Sequence, residues 1–198
     1  MRRIGLILVA CWANAVAWAQ VAAGDTWGHS AVRADSTVRL YYPGGALMAV
    51  EVYRQGRLHG TSLGFYPNGK PSYREHWQAG SLEDSSYFYH TNGRIHRKGL
   101  FISSLYTGTW LTYDSAGTLR QSMGYNQGLP DGAYQAYDST GALAEEGTYQ
   151  AGVAEGEFRF YRQNRLFCKG NFKNGSKVGT WIYYKASGRI KRKERLQP

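Results

Sequence analysis

Cysteine is scarce in this sequence, with 2 among 198 residues. Cys11 lies in the first nineteen residues, so Cys168 is the single cysteine left if those residues are removed. No intrachain disulfide is then available, and stability must come from packing. No segment reaches the roughly 20 consecutive apolar residues that a membrane-spanning helix needs, which argues against a retained helical anchor.

Acidic residues are also few, 14 against 24 lysines and arginines, and the resulting net charge of +10 is unevenly spread. Residues 159–198 hold twelve basic side chains and the single acid Glu194, a net charge of +11, whereas the other 158 residues sum to −1. This uneven distribution of charge suggests an anionic partner for the C-terminal segment, such as lipid or polysaccharide. Nucleic acid is not expected. The alternative is a solvated basic face that only aids solubility.

Motifs for catalysis are missing as well. The chain has no G-x-S-x-G elbow, no phosphate-binding loop and no H-E-x-x-H pair. His90 and His96 lie six residues apart across a predicted turn and can approach one another, but exposed turn residues are the simpler account. Cys168 lies between Phe167 and Lys169 and is interpreted as a packing residue. We therefore predict a non-enzymatic protein without catalytic, metal or cofactor-binding residues.

The N-terminal segment is predicted to be a secretory signal peptide covering residues 1–19. A basic Met1-Arg2-Arg3 start precedes an apolar stretch, and Ala17-Trp18-Ala19 fits the small-x-small cleavage pattern before Gln20. The predicted location is accordingly the periplasm, the outer envelope or the medium. Leu8-Val9-Ala10-Cys11 also matches a lipoprotein box, which leaves a lipid anchor at Cys11 as the alternative. Residues 20–37 are interpreted as a linker.

Glycine and tyrosine are abundant, with 25 and 16 residues. Glycine disfavours helices and tyrosine favours half-buried sheet surfaces, so many short strands and turns are expected. A helical bundle is excluded on this ground.

A tandem repeat of about 24 residues organises the chain. A tyrosine precedes each turn-like segment, at Tyr42, Tyr66, Tyr89, Tyr113, Tyr137, Tyr161 and Tyr184. A second aromatic follows the first six at Tyr53, Trp77, Phe101, Tyr125, Tyr149 and Phe172. A turn glycine lies between the two in most units, and Asn164 replaces it in the sixth. Asparagine tolerates positive φ better than most residues, which explains this exchange.

Each unit is predicted to be a β-hairpin, and stacked hairpins bury one another's aromatic rings. The expected fold is all-β: an elongated antiparallel β-meander of about seven tandem hairpins over residues 38–190. G-x-x-x-G segments such as Gly128 to Gly132 are expected to connect the units. Residues 191–198 are expected to form a basic C-terminal tail without a hairpin partner.

The segment from Asn171 to Tyr184 resembles the Y-x-N-G-x-x-x-G-x-W-x-x-Y pattern of the MORN-repeat variant family, which includes exported bacterial proteins and the so-called YwqK-like antitoxins. The resemblance covers roughly residues 38 to 190 and weakens in the second and third units, where Asp84 replaces a connector glycine. It implies a MORN-like β-hairpin array that acts as a binding or assembly module, with no shared catalytic residues to transfer.

Two sets of side chains are candidate binding sites. Four aromatics stand three residues before the repeat tyrosine, and they either line an exposed groove or pack together in a curled sheet: Trp110, Tyr134, Phe158 and Trp181. Six cations near the C-terminus form a candidate anion-binding surface: Lys185, Arg189, Lys191, Arg192, Lys193 and Arg195.

The leading functional hypothesis is an exported scaffold module that binds an unidentified protein or envelope polymer. Weak contact of the basic C-terminus with an anionic membrane or polysaccharide is the second hypothesis. An antitoxin or immunity role is the third, and the predicted export restricts it to the envelope. Nothing in the sequence indicates the oligomeric state.

Overall fold

The structure, a computed structural model, describes residues 35–196. The predicted signal peptide, the cleavage before Gln20, the lipoprotein alternative at Cys11 and nearly all of the 20–37 linker lie outside these residues. They stay predictions.

Within residues 35–196 all regular structure is β-strand, and the strands form one open antiparallel sheet. The all-β hairpin meander predicted from the repeat is confirmed. The strands are β1 (Ser36–Tyr41), β2 (Leu47–Arg54), β3 (Arg57–Leu58), β4 (Gly60–Phe65), β5 (Pro71–Gln78), β6 (Ser81–Tyr89), β7 (Ile95–Ile102), β8 (Leu105–Tyr113), β9 (Leu119–Asn126), β10 (Leu129–Tyr137), β11 (Leu143–Gln150), β12 (Val153–Arg162), β13 (Arg165–Lys173), β14 (Ser176–Tyr184) and β15 (Ile190–Leu196).

Seven hairpins follow one another, because β3 and β4 together fill the place of one strand. A repeat aromatic precedes the turn of each hairpin, as Tyr137 does opposite Leu143. In the first two hairpins this position belongs to Tyr41 and Phe65, which pair with Leu47 and Pro71. The assignment of Tyr42 and Tyr66 to this position, which the spacing suggested, was therefore wrong by one residue.

The sixth hairpin has a shorter turn than the others, since Arg162 pairs directly with Arg165. Gln163 and Asn164 form this two-residue turn with φ values of 50° and 59°. The positive φ of Asn164 confirms why asparagine can replace the turn glycine.

The connectors between hairpins are themselves tight turns rather than loops. Gln127 and Gly128 have φ values of 48° and 84°, as a type I′ turn requires at both central residues. The strand then continues through Gly132, where the pairing with β9 shifts register. The sheet therefore has a hairpin-turn edge, with the wide turns, and a connector edge, with the two-residue turns.

Side chains link successive repeats along both edges. On the hairpin-turn edge the Tyr42 and Tyr66 hydroxyls donate to the carbonyl oxygens of Phe65 and Tyr89, at 2.9 and 2.6 Å. On the connector edge the Asp131 carboxylate accepts the backbone N–H of Ala151, at 3.1 Å. Asp35, His59, Glu83 and Glu155 accept equivalent bonds from the following connector turn. This recurrence of polar residues in register escaped the sequence analysis.

Candidate functional site

The four candidate groove aromatics are core residues. Trp110, Tyr134, Phe158 and Trp181 are exposed by 5% or less, and Phe158 packs against Tyr149 and Phe172 on the same face. We call this face the inner face. The predicted exposed groove is corrected by this burial, and the alternative of ring packing within a curled sheet describes the structure.

Glycines across the strand pairing make room for these rings. Gly147 lies opposite Tyr134, and an added Cβ there would meet the ring of Phe158. Gly170 lies opposite Phe158 and has the same relation to Trp181. The sheet needs no second layer to bury the aromatics, because each ring covers the backbone of its neighbour.

Serines interrupt the aromatic row in the second and third hairpins. Ser62 and Ser86 stand three residues before Phe65 and Tyr89, the place that Trp110 takes in the fourth hairpin. Both are almost fully buried, and their hydroxyls have no hydrogen-bond partner within residues 35–196. The inner face is therefore apolar towards the C-terminal hairpins and polar towards the N-terminal ones.

Glu75 lies on this polar part of the inner face, paired with Ser62. Burial raises its pKa to about 7, and the Glu51 carboxylate adds to this shift. Burial therefore favours the protonated, neutral form of this carboxyl.

The basic C-terminal segment is a strand rather than a tail. β15 pairs with β14 from Gly179↔Leu196 to Tyr184↔Ile190, so the predicted boundary of the array at residue 190 is corrected. Lys185 and Arg189 lie in the turn before this strand, and Lys191, Arg192, Lys193 and Arg195 lie on it. All six are exposed, and the structure brings them together on one hairpin.

One of the six is neutralised locally. The Arg192 guanidinium lies 2.8 Å from a Glu194 oxygen and 3.7 Å from the centre of the Tyr183 ring. Its hydrogen bond is the largest cause that holds the pKa of Glu194 below its usual range. The remaining five cations make no ion pair within residues 35–196. We call Lys185, Arg189, Lys191, Lys193 and Arg195 the basic hairpin surface.

An exposed apolar row on the connector edge was missed by the sequence analysis. Leu105, Leu129 and Val153 each follow a connector turn and are exposed by 44, 52 and 40%. They are spaced by 24 residues, so the sheet aligns them. Ile102 pairs with Leu105 and is exposed by 55%. We call these four residues the apolar ridge. The signal was available as an apolar residue after three successive connector turns.

The other residues considered as candidates in the sequence are the pair His90 and His96 and the thiol of Cys168. The rings of His90 and His96 do approach, with centroids 4.5 Å apart, and His90 Nε2 lies 2.9 Å from the carbonyl oxygen of Tyr113. Burial lowers the pKa of His96, and His90 adds to the shift. Burial raises the pKa of the Cys168 thiol, as expected of a packing residue. Within the described part of the chain, no three metal-ligating side chains converge.

A protein-family model matches two segments of the array. The family model described as MORN repeat variant matches residues 58–79 and 130–151, which correspond to the second and fifth hairpins. These two hairpins are similar to the MORN repeat variant. MORN-variant repeats are generally non-catalytic, and their presence indicates a role in binding a protein or a membrane.

Comparison with solved structures gives partial likenesses to the hairpin array. A crystal structure of a TarM mutant from S. aureus is 11% identical with a TM-score of 0.34, and the match covers 62% of this chain and 22% of that one. The TcdB2–TccC3 structure is 12% identical with a TM-score of 0.21, over 75% of this chain and 11% of that one. This chain therefore spans less than a quarter of either. No curated protein matches it in sequence.

The strands of the array are also its only regular structure in the described range. No helix among residues 35–196 has the length and apolar character needed to cross a membrane.

Proposed function

We propose that this protein is an exported, non-enzymatic scaffold module that binds a partner protein through the apolar ridge. The export part of the proposal rests on the signal-peptide pattern of residues 1–19. The binding part rests on the exposure of Ile102, Leu105, Leu129 and Val153 at one edge of the sheet. Contiguous exposed apolar side chains commonly mark interaction sites on proteins of this size.

The ridge suits an extended partner. Its apolar residues recur once per hairpin. Successive members pack on the next connector turn, since the Leu105 Cδ2 atom lies 3.3 Å from the position that a Cβ on Gly128 would take. A partner helix or strand that runs across the hairpins would place an apolar side chain on each member. Burying such side chains contributes ~1.5–3 kcal/mol each when burial is complete.

Site-specific photo-crosslinking in the native cell envelope tests this proposal. A photoreactive residue at Leu129 is expected to give discrete crosslinked products, and one at Ile190 is the control, because Ile190 is exposed to a similar 50% but lies off the ridge. Adding Leu105→Gln and Val153→Gln should remove the Leu129 products. Equal products from both positions, or none from Leu129, would contradict the proposal. A toxin among the products would instead favour the immunity interpretation.

A second candidate function is binding to an anionic membrane surface, and the basic hairpin surface favours it. Five exposed cations without ion-pair partners among the described residues share one hairpin, and each Lys or Arg near an anionic membrane contributes ~1 kcal/mol. Such binding would be screened by salt.

Co-sedimentation with vesicles tests this second function. Binding to anionic phosphatidylglycerol vesicles is expected at low salt and should disappear at high salt or with neutral phosphatidylcholine. The Lys191→Gln/Lys193→Gln/Arg195→Gln variant should lose it. Arg192→Gln is the matched control, since Glu194 already neutralises that charge. Wild-type protein that stays in solution at low salt would exclude the membrane function.

A further inference from the structure

Asp84 occupies a backbone position that glycine fills in the other repeats. It has a φ of 64°, and its counterparts Gly60, Gly108, Gly132, Gly156 and Gly179 have φ between 65° and 99°. A residue with a Cβ is strained in this left-handed region. Its Oδ1 accepts the backbone N–H of Ser85 at 2.7 Å, which makes the conformation tolerable. A strained residue at this position in one repeat out of six is a reason to look for a role of its side chain.

A polar pocket opens beside this residue. Its volume is about 250 Å³, and Asp84 lines it together with Thr61, Arg74, Glu75, His76, Ser85 and Tyr87. The pocket lies where the pairing of β5 with β6 shifts register between Arg74 and His76. This irregularity leaves Glu75 unpaired with β6.

Charges of both signs line the pocket. Arg74 and His76 are two residues apart on β5 and therefore point to the same side of the strand. The Arg74 guanidinium lies 5.9 Å from the centre of the Tyr87 ring and makes no ion pair within residues 35–196. The Glu75 side chain, between Arg74 and His76 in sequence, lies on the inner face, so Asp84 supplies the carboxylate of the pocket. The second oxygen of Asp84 accepts no hydrogen bond within residues 35–196.

We propose that this pocket binds a small zwitterion of the α-amino acid class, with its carboxylate on Arg74 and His76 and its ammonium group on Asp84. A molecule that carries only a negative charge would have to approach the Asp84 carboxylate, and one that carries only a positive charge would meet the Arg74 guanidinium. A ligand with both charges can pair with the Arg74 guanidinium and the Asp84 carboxylate at once. Amino acids are of a size that the pocket admits. The Tyr87 ring and the Thr61 and Ser85 hydroxyls remain for the ligand side chain.

The variant Asp84→Gly is the most specific test of the proposed site, because it introduces the glycine that the other repeats have at this position. It should fold with an unchanged or higher melting temperature, since glycine relieves the left-handed strain. It should nevertheless lose ligand binding. Arg74→Gln removes the partner of the ligand carboxylate and should lose binding as well.

Isothermal titration calorimetry and melting-temperature shifts would measure binding of L-alanine, D-alanine, L-glutamate and L-lysine. Saturable binding of at least one is expected, with no binding of propionate or ethylamine, which each carry one of the two charges of alanine. Equal binding by wild type and Asp84→Gly would overturn the proposal. So would propionate that binds as well as alanine, or the absence of saturable binding of all four amino acids at millimolar concentration. None of these outcomes bears on the apolar ridge.

Discussion

The ring of Phe158 lies directly on the backbone of Gly147, so that a Cβ added to this glycine would be 2.5 Å from three ring carbons. The two residues belong to neighbouring strands, β12 and β11, at a shift in their pairing between Glu146 and Thr148. Phe158 is exposed by only 1% because the ring covers this glycine and packs on Phe172 with ring centroids 4.7 Å apart. The same arrangement joins Trp181 to Gly170 and Trp110 to Gly99.

Gly147→Ala is therefore expected to destabilise the fold. The new methyl group must displace a buried ring, and such overpacking costs ~1–3 kcal/mol. Urea unfolding measures the loss. Gly44→Ala is the matched control, because nothing lies within 4 Å of a Cβ at Gly44 and its φ is not positive. Equal stability of the two variants would show that Phe158 does not pack on Gly147.

Ser86→Ala is expected to stabilise the protein by about 1 kcal/mol. The hydroxyl is fully buried and finds no partner among the described residues, so its removal relieves a desolvation penalty. Thermal unfolding monitors the change. Ser139→Ala, at an exposed turn, should leave the melting temperature unaltered. A loss of stability in Ser86→Ala would indicate that the hydroxyl has a partner in solution.

Gly141→Val should cost ~1–2 kcal/mol through backbone strain, since φ at Gly141 is 84°. The added Cβ would also lie 3.2 Å from Thr118 Cγ2. Ser139→Val in the same turn is the control, because φ at Ser139 is not positive. A neutral Gly141→Val in chemical denaturation would contradict the left-handed turn at this hairpin.

Tyr66→Phe should lower the free energy of unfolding by about 1 kcal/mol, the net value of a typical hydrogen bond. The hydroxyl donates to the carbonyl oxygen of Tyr89 in the next turn, at 2.6 Å. Tyr41→Phe serves as the comparison, since Tyr41 is 56% exposed and its hydroxyl makes no hydrogen bond within residues 35–196. The two variants would unfold alike if the ladder of turn contacts were not stabilising.

Glu75 should make the protein less stable as the pH rises. Its pKa in the folded state is about 7, against 4.5 ordinarily, so between these values the folded state binds a proton that the unfolded state releases. The free energy of unfolding therefore decreases from about pH 5 to pH 8. His96, whose pKa is lowered, has the opposite slope below its usual pKa of 6.5.

The variant Glu75→Gln isolates the contribution of this carboxyl. It should unfold at higher denaturant concentration than the wild type near pH 8 and show a smaller difference near pH 5. Glu51, Trp77, Arg97 and the paired Ser62 surround the group and are unchanged in this comparison. Parallel pH profiles for the two proteins would show that Glu75 titrates normally.

The repeat and its turns could be predicted from the sequence because their causes are local. Glycine or asparagine at a fixed place in each unit, such as Gly141 and Asn164, favours a left-handed turn whatever surrounds it. Aromatic residues at a constant spacing then require neighbouring hairpins to stack. These two features determined an all-β meander of seven hairpins without reference to any distant contact.

The tertiary structure decided which face is buried and where side chains from different repeats meet. Alternation along a strand separates two faces but does not say which one curls inward, so Trp110 and Phe158 fitted a groove as well as a core. The strand pairing placed Tyr41 and Phe65, rather than Tyr42 and Tyr66, before the first two turns. The pocket beside Asp84 lies at the register shift between β5 and β6, and only the pairing of whole strands aligned Leu105, Leu129 and Val153. Such features depend on sheet curvature and pairing over 20 or more residues, which a local pattern does not encode.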